Sequence, residues 1–336
     1  MKVDKQRLIE ALGRLAKVKV AVVGDLIADV YVYARPVGLS REAPVMVMRE
    51  ESRKALPGGG ANAAHNVVAL SGKAICVGIV GADAAGRALE GFLAKRGAGV
   101  RTVVRAAKAS TYTKTRVLAG DIHTVKQQVF RMDNEPANRM TRGVEKRVLG
   151  AIERASREAD AWLVSDYDGD MFSAGVISRI NRLAAAGKVV VVDSHSRLAS
   201  FRGITCATPN EAEAGAQSGI DIVDDKTAIE AARRIRERTR AKWVFVTRGN
   251  RGMTIVGPGR PVRLPIVGPA EIVDVAGAGD TVSAVVTLAL ANGEEAFVAG
   301  LLASYAASVV CMKTGVATAT PAEVKGAIME YPLPEV

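Results

Sequence analysis

The sequence predicts an α/β protein in which a mostly parallel sheet is flanked by helices on both faces and a small β-sheet lid covers one end. Three observations carry that expectation. Short valine-rich runs recur through the chain and alternate with helical stretches, the rhythm of a parallel sheet wrapped by crossover helices. Several of these runs end in a polar residue, namely Asp166, Asp193, Thr208 and Thr247, at the edge where open α/β sheets place their ligands. Residues 31–50 and 111–133 break the rhythm with strand-like alternation. The expected division is therefore a core of residues 1–30, 51–110 and 134–336 and a lid of residues 31–50 and 111–133.

Taken in order, Leu8, Ile9, Leu12 and Leu15 have helical spacing and predict a leading helix from Asp4 to Lys17. The run Lys19-Val20-Ala21-Val22-Val23-Gly24 reads as a buried strand that delivers Asp25 and Asp29 beyond its end. Two carboxylates there can accept hydrogen bonds from a polyol; equally, one can cap a turn while the other faces solvent. Tyr31-Val32-Tyr33 and Ala43 to Met48 read as lid strands, as do Thr113 to Val117 and Gln127 to Arg131 around a turn near Gly120 and Asp121. Between them, Pro57-Gly58-Gly59-Gly60 precedes an Ala/Val-rich run, a tight turn into a helix. Asn62, in the first turn, can donate to and accept from a substrate hydroxyl, although a purely structural turn uses the same glycines. Later strands are read at Trp162 to Asp166, Val189 to Asp193, Cys206 to Pro209 and Trp243 to Thr247, with helices over Val176 to Ala186 and Ala228 to Arg238. His65, His123 and His195 are assigned no chemistry.

Composition narrows the function classes. With 336 residues, 49% of them hydrophobic, the chain can bury a large core. The apolar runs fall short of the roughly 18 residues a membrane span requires, so no membrane partner is expected. Cys76, Cys206 and Cys311 are far apart, which suggests neither a disulfide framework nor a zinc site and fits a reducing cytoplasm. The net charge of +11 raises the question of nucleic acid, but the cations are dispersed and aromatics are only 4%, so no nucleic-acid partner is expected.

The stretch Asp274-Val275-Ala276-Gly277-Ala278-Gly279-Asp280 runs into the apolar Thr281-Val282-Ser283-Ala284-Val285-Val286 and carries the chemistry. Its glycines permit a backbone turn that approaches a ligand and then starts a helix. The amides of Gly277, Ala278 and Gly279 would converge at the positive end of the helix dipole, an anion-binding corner. Asp280, beside that corner, can take a proton from an attacking hydroxyl, or it can merely cap the helix.

The pairing of Gly58, Gly59 and Asn62 with the Asp274 to Asp280 turn, in this order, resembles the pfkB or ribokinase-like carbohydrate kinases over nearly the whole chain. Asp29 before them and Thr208-Pro209-Asn210-Glu211 between them add to the resemblance. Within the family, Gly24 to Tyr31, Ser40 to Val45, Pro57 to Gly59, Thr113 to Leu118 and Asp166-Tyr167 are similar to the branch that phosphorylates the anomeric hydroxyl of D-glycero-D-manno-heptose 7-phosphate in lipopolysaccharide heptose synthesis.

The resemblance implies a three-layer ribokinase-like sandwich with a β-sheet lid that supports a homodimer. It makes Asp280 the general base and Gly277, Ala278 and Gly279 the anion hole. It assigns Asp29, Gly58, Gly59 and Asn62, with Asp25, to the sugar. For a substrate phosphate the candidate cations are Lys114, Arg116, Lys126 and Arg131. Asn210, Thr247, Arg248, Gly249, Gly252 and Ser304 fall to ATP, Glu213 to Mg2+ through water, and Asp274, with Ala276 and Gly315, to a monovalent cation such as K+. Some family members carry a second, nucleotidyl-transferring domain; this chain stops at Val336 without one, so the kinase alone is expected.

Three features depart from the family pattern. Ala276 replaces a threonine, Asp193-Ser194-His195 replaces Asp-Pro-Lys, and Ser304 stands where relatives have asparagine near the adenine. Cation binding, charge balance and nucleotide choice thus lie outside the resemblance, whereas Asp280 and its turn do not. The alternatives are a kinase of an unphosphorylated sugar or a nucleoside and, in another class, a non-catalytic nucleotide- or sugar-binding regulator.

Overall fold

Along the first core strand, Val20 and Val22 pack into one apolar cluster, and Ala21 and Val23 pack into another on the opposite side. This two-residue alternation, buried on both faces, marks a strand with helices above and below it. The computed structural model describes residues 3–120, 126–136, 139–269 and 272–335.

From the N-terminus the chain forms α1 (Lys5–Arg14), β1 (Lys19–Gly24), the long β2 (Leu26–Leu39) and β3 (Met46–Gly59), then α2 (Gly60–Ala69). Next come β4 (Lys73–Val77), β5 (Ile79–Gly81), α3 (Ala84–Lys95), β6 (Val104–Ala106), β7 (Tyr112–Ala119) and β8 (Gln127–Asn134). The alternation continues through α4 (Arg142–Ala155), β9 (Ala161–Asp166), α5 (Ala174–Ala185), β10 (Val189–Ser194), β11 (Cys206–Ala207), α6 (Glu211–Ser218), α7 (Asp225–Thr239) and β12 (Trp243–Thr247). β13 (Met253–Val256) and β14 (Val262–Leu264) precede α8 (Ala278–Ala291), α9 (Ala296–Cys311) and α10 (Pro321–Glu330).

The main sheet has the order β14-β13-β12-β11-β10-β9-β1-β4, parallel from β12 to β4 and antiparallel at the β13 and β14 edge. The chain leaves β1 for β4 on one side and later fills the other side from β9 onward, so the strand order reverses between β1 and β9. Ligand crevices open at such a switch point, outside the carboxyl ends of the strands. Asp25 follows β1 there, and Asp166 ends β9. One face of the sheet is covered by α1, α2, α8, α9 and α10, the other by α4, α5 and α7. α8 is buried almost throughout from Asp280 to Ala289, as expected of a helix apolar on all sides.

A second sheet, β3-β2-β7-β8, stands over the carboxyl edge. It is wider than the expected segment 31–50, because β2 starts at Leu26 directly beyond the core strand and β3 runs on to Gly59. In register, Asp29 lies opposite Lys114 and Tyr31 opposite Arg116, so these four share one face. Val30, Val32 and Val117 share the other, which Phe130 and Met132 extend.

Two further expectations change. The strand read over Ala43 to Met48 begins only at Met46, and the strand read to Pro209 stops at Ala207, two residues before the proline, which has no N–H to extend the ladder. Asp121 of the expected turn, and His123, lie outside the described residues.

Candidate active site

Gly277 caps α8 in the left-handed conformation, φ 79°, and a Cβ there would lie 2.7 Å from Asn62 Nδ2. Glycine is therefore required twice over, by backbone angle and by close approach. The amides of Gly277 and Gly279 belong to a helix start, where no carbonyl lies one turn back. Ala278 corrects the expected trio: its N–H donates to the Val275 carbonyl at 3.2 Å, closing the turn on itself.

Asp280 sits in the first turn of α8 and is only 3% exposed. Its Oδ2 accepts from Asn62 Nδ2 at 2.7 Å and its Oδ1 from the Tyr167 hydroxyl at 3.1 Å. Burial pushes its carboxyl up to about 7; the two hydrogen bonds oppose the rise, Asp29 adds to it and Lys114 resists it. A value there suits a base working near neutrality.

Two cavities meet at this residue, and a third adjoins the second of them. The first, about 140 Å³, is lined by Asp29, Gly58, Gly59, Lys114, Arg116 and Tyr167, with Gly277 and Asp280 at its wall. The second, about 180 Å³, shares Tyr167, Gly277 and Asp280 and adds Asp166, Asp193, His195, Asn210 and Glu213. The third, about 190 Å³ and largely apolar, shares Thr247 and Gly279 with the second and includes Gly249, Gly252, Val282, Ser304 and Cys311. Asp280 thus stands between a polar cavity under the second sheet and a chain of two cavities leading away from it.

In the first cavity Arg116 donates to Asp29 Oδ1 at 2.7 Å and lies over the Tyr31 ring at 5.4 Å. Lys114 Nζ lies 5.2 Å from the Tyr167 ring centroid. Gly58 lets Asp29 approach, since a Cβ there would fall 2.6 Å from its Oδ2. Lys126 and Arg131 do not line this cavity: Lys126 pairs with Glu51, and Arg131 Nε donates to Asp133 at 2.8 Å.

Two predicted sugar ligands are also turned elsewhere. Asn62 has no exposed area; its amide is divided between Asp280 and Asn66, whose Nδ2 donates to Asn62 Oδ1 at 3.2 Å. Asp25 is buried outside the cavity, and its Oδ2 accepts from the amides of Tyr167 at 3.0 Å and Gly169 at 3.2 Å. Burial first, then the charge of Asp166, pushes Asp25 up to about 6.

In the second cavity Asn210 and Glu213 form a reciprocal capping box at the start of α6, which fixes both side chains at the cavity wall. Burial, followed by the nearby carboxylates of Glu213, Asp280 and Asp166, holds Asp193 well above the usual range. Such crowding of acids suits a hard cation. Among the described residues, however, no group of three His, Cys, Asp or Glu could hold a metal ion. The donor set therefore fits Mg2+ kept largely by water and phosphate oxygens, the usual habit of that ion. His195, which sequence reasoning left without chemistry, lines this cavity 3.5 Å from Glu213 and packs against Tyr167 with ring centroids 4.5 Å apart and the planes tilted by 59°.

At the third cavity, Gly249 and Gly252 have positive φ, and a side chain on Gly252 would collide with the Leu264 carbonyl. Arg248 is corrected: its guanidinium is buried between Glu211 and Asp225 and lines none of the three cavities. Asp274 joins two loops, accepting from the amides of Ala276 and Gly315 at 2.9 Å each. Tyr167, given no role from sequence, is the main residue missed; its position one past a strand-terminal aspartate was the available signal.

Comparison with known proteins gives a family and a fold. A family profile described as pfkB family carbohydrate kinase matches residues 17–323. A relative named bifunctional protein HldE from Gluconacetobacter diazotrophicus is 36% identical over 311 residues, covering 92% of this chain and 63% of the relative. One of the same name from Caulobacter sp. strain K31 is 37% identical over 311 residues, covering 91% of this chain and 62% of the relative. The chain thus spans under two thirds of these relatives' length. Among solved structures, Arabidopsis thaliana ribokinase complexed with ribose and ATP superposes with a TM-score of 0.74 at 21% identity, covering 93% of this chain and 98% of that one. Escherichia coli phosphofructokinase-2 in complex with fructose-6-phosphate gives 0.72 at 19% identity, with coverage of 93% and 98%. These two likenesses describe the fold.

Proposed function

The chain belongs to the pfkB family of carbohydrate kinases and is a phosphotransferase acting on a sugar hydroxyl; from that premise we propose that it transfers the γ-phosphate of ATP to the anomeric hydroxyl of D-glycero-D-manno-heptose 7-phosphate. The observation that carries the reading is the place of Asp280 on the wall common to two cavities, one bearing Asp29, Lys114 and Arg116, the other Asn210 and Glu213. The sugar occupies the first, with Asp29 and the Gly58-Gly59 turn around its hydroxyls and Lys114 and Arg116 toward its phosphate. ATP lies along the other two, its base among the apolar residues near Ser304 and its phosphates toward Gly277 and Gly279.

Asp280 takes the proton of the anomeric hydroxyl as that oxygen bonds to the γ-phosphorus and the bond to the β-phosphate oxygen breaks, releasing ADP. The amides at the start of α8 hold the charge on the transferring group, and position does most of the work in such a reaction. Glu213 and Asn210 would hold Mg2+ through water, and the ion would supply neutralising charge to the phosphates. Asp274 retains lone pairs for a monovalent cation, and K+ is the one proposed.

The protein is proposed to act in the cytoplasm as a homodimer joined through its second sheet; among the described residues no helix is long and apolar enough to cross a membrane. A second reading, a kinase of an unphosphorylated sugar or nucleoside, is favoured by the Arg116–Asp29 pair, which already occupies one of the two cations. ADP release with Mg2+, ATP and a panel of sugars and sugar phosphates separates them. The 7-phosphate is expected to be turned over at least tenfold more efficiently than free heptose, and equal turnover would leave the second reading standing.

A further inference from the structure

We infer that Tyr167 is a positioning residue for the Asp280 base, held in place through its backbone by Asp25, so that the sugar cavity and the triphosphate cavity meet at a fixed carboxylate. The inference rests on the assignment of Asp280 as base. Tyr167, Gly277 and Asp280 are the residues shared by those two cavities. The Tyr167 hydroxyl donates to one Asp280 oxygen at 3.1 Å while Asn62 donates to the other at 2.7 Å, so the carboxylate is gripped from both ends.

The turn that presents Tyr167 is built at some expense. Asp168 adopts a positive φ of 61°, a conformation unfavourable for a residue with a side chain and kept only where the surroundings enforce it. Its carboxylate accepts from the Ser196 hydroxyl at 2.5 Å. Asp25 takes the amides of Tyr167 and Gly169, and any side chain on Gly169 would collide with it. Arg197 donates to Asp166 Oδ2 at 3.0 Å and to the Gly169 carbonyl at 2.8 Å. The buried Arg139 donates to Asp170 at 2.9 Å and lies 3.6 Å from Asp25. Five residues, 166 to 170, are thus tied down by three separate parts of the chain.

A phenol can donate here only while it keeps its proton. Burial first, and then the charges of Asp280 and Asp193, hold the Tyr167 hydroxyl well above its usual range, so it remains a donor. Asp29, Lys114 and Arg116 of the second sheet, His195 and Asp193 at the end of β10, and Asp166 and Glu213 across the cavity are the other charged or titratable groups facing this pair. A donor to the ionised carboxylate favours that form, and fixing one oxygen aims the remaining lone pairs.

The test is Tyr167→Phe in the full chain, which keeps the ring and removes the hydroxyl. The expected result is a fall in kcat of about 10-fold, KM values for sugar and ATP within about twofold, and an acid limb of the kcat/KM profile moved to higher pH by about one unit. Asp25→Asn, which leaves the tyrosine intact and weakens its turn together with the contact to Arg139, is expected to lower kcat in the same sense and to add little in the Tyr167→Phe background. An unmoved acid limb with unchanged kcat, or a loss confined to KM, overturns the inference. Asp280→Asn measured in parallel separates the two readings: if it keeps wild-type turnover, the base assignment falls and this inference with it. If it loses turnover while Tyr167→Phe leaves the limb in place, only the inference falls.

Discussion

Asn62 Nδ2 donates to Asp280 Oδ2 at 2.7 Å, joining the first turns of α2 and α8 across 218 residues of sequence. The link continues inward, since Asn66 donates to Asn62 and accepts from the Thr281 hydroxyl at 2.7 Å. The two glycine-led helix starts are therefore one unit, and neither can shift without moving the carboxylate. Asn62→Ala removes a hydrogen bond to a charged group, worth about 1.5–3 kcal/mol, or about 10–100-fold in rate if the bond persists in the transition state. Steady-state kinetics should show that loss in kcat with KM for sugar little changed. A loss confined to KM would return Asn62 to the role of sugar ligand.

Asp280 makes an opposite demand on stability and on activity. With its folded pKa raised to about 7, the native state keeps a proton that the unfolded chain loses near 4. The stability this contributes is complete below about pH 4 and disappears as pH rises toward 7. Asp280→Asn should cut turnover by about 10²–10⁴-fold with ATP still bound, and should flatten the fall in melting temperature between pH 4 and 7. Wild-type turnover in that variant would remove Asp280 from the chemistry; an unchanged pH dependence of melting would show that its carboxyl is not held protonated by the fold.

How much of this was legible depended on the distance over which each feature is decided. The α8 turn was readable because glycine spacing, the apolar run after it and Asp280 are adjacent in sequence. The alternation of strands and helices was readable for the same reason, β1 and β9 being continuous apolar runs. What could not be read was the direction in which a polar side chain turns. Arg248 is drawn away from the third cavity by Glu211 and Asp225, Asp25 from the first by the amides after β9, and Asn62 by Asp280. Each partner lies between about twenty and more than two hundred residues away, beyond any local pattern. The upward shift of Asp280 was hidden too, because it arises from burial that only the packed α8 creates.

The Arg116–Asp29 pair predicts how a phosphorylated substrate is distinguished. Arg116 is mostly buried, bonded to Asp29 at 2.7 Å and stacked over Tyr31, so a substrate phosphate must take over a guanidinium already in place. Arg116→Ala should raise KM for the sugar phosphate by about 10–100-fold, the effect of a lost charge-assisted contact, and should alter KM for the corresponding free sugar much less. Equal effects on both substrates would mean that Arg116 serves only to hold Asp29.

The outer face of the second sheet predicts an assembly. Phe130 and Met132 on β8 are 58% and 57% exposed, and they continue a face that begins with the buried Val30 and Val32. β8 is also an edge strand, so its free backbone groups and its apolar side chains point to the same partner, and a second copy of the chain can match them through a two-fold axis. The double substitution Phe130→Asp with Met132→Asp places like charges at the centre of such a contact and leaves the core untouched. Sedimentation at micromolar concentration is expected to show a dimer for the parent chain and a monomer for the variant, with the melting transition of the core retained. A parent chain that sediments as a monomer, or a variant that remains dimeric, would take the second sheet out of the interface and require the two apolar side chains to be accounted for otherwise.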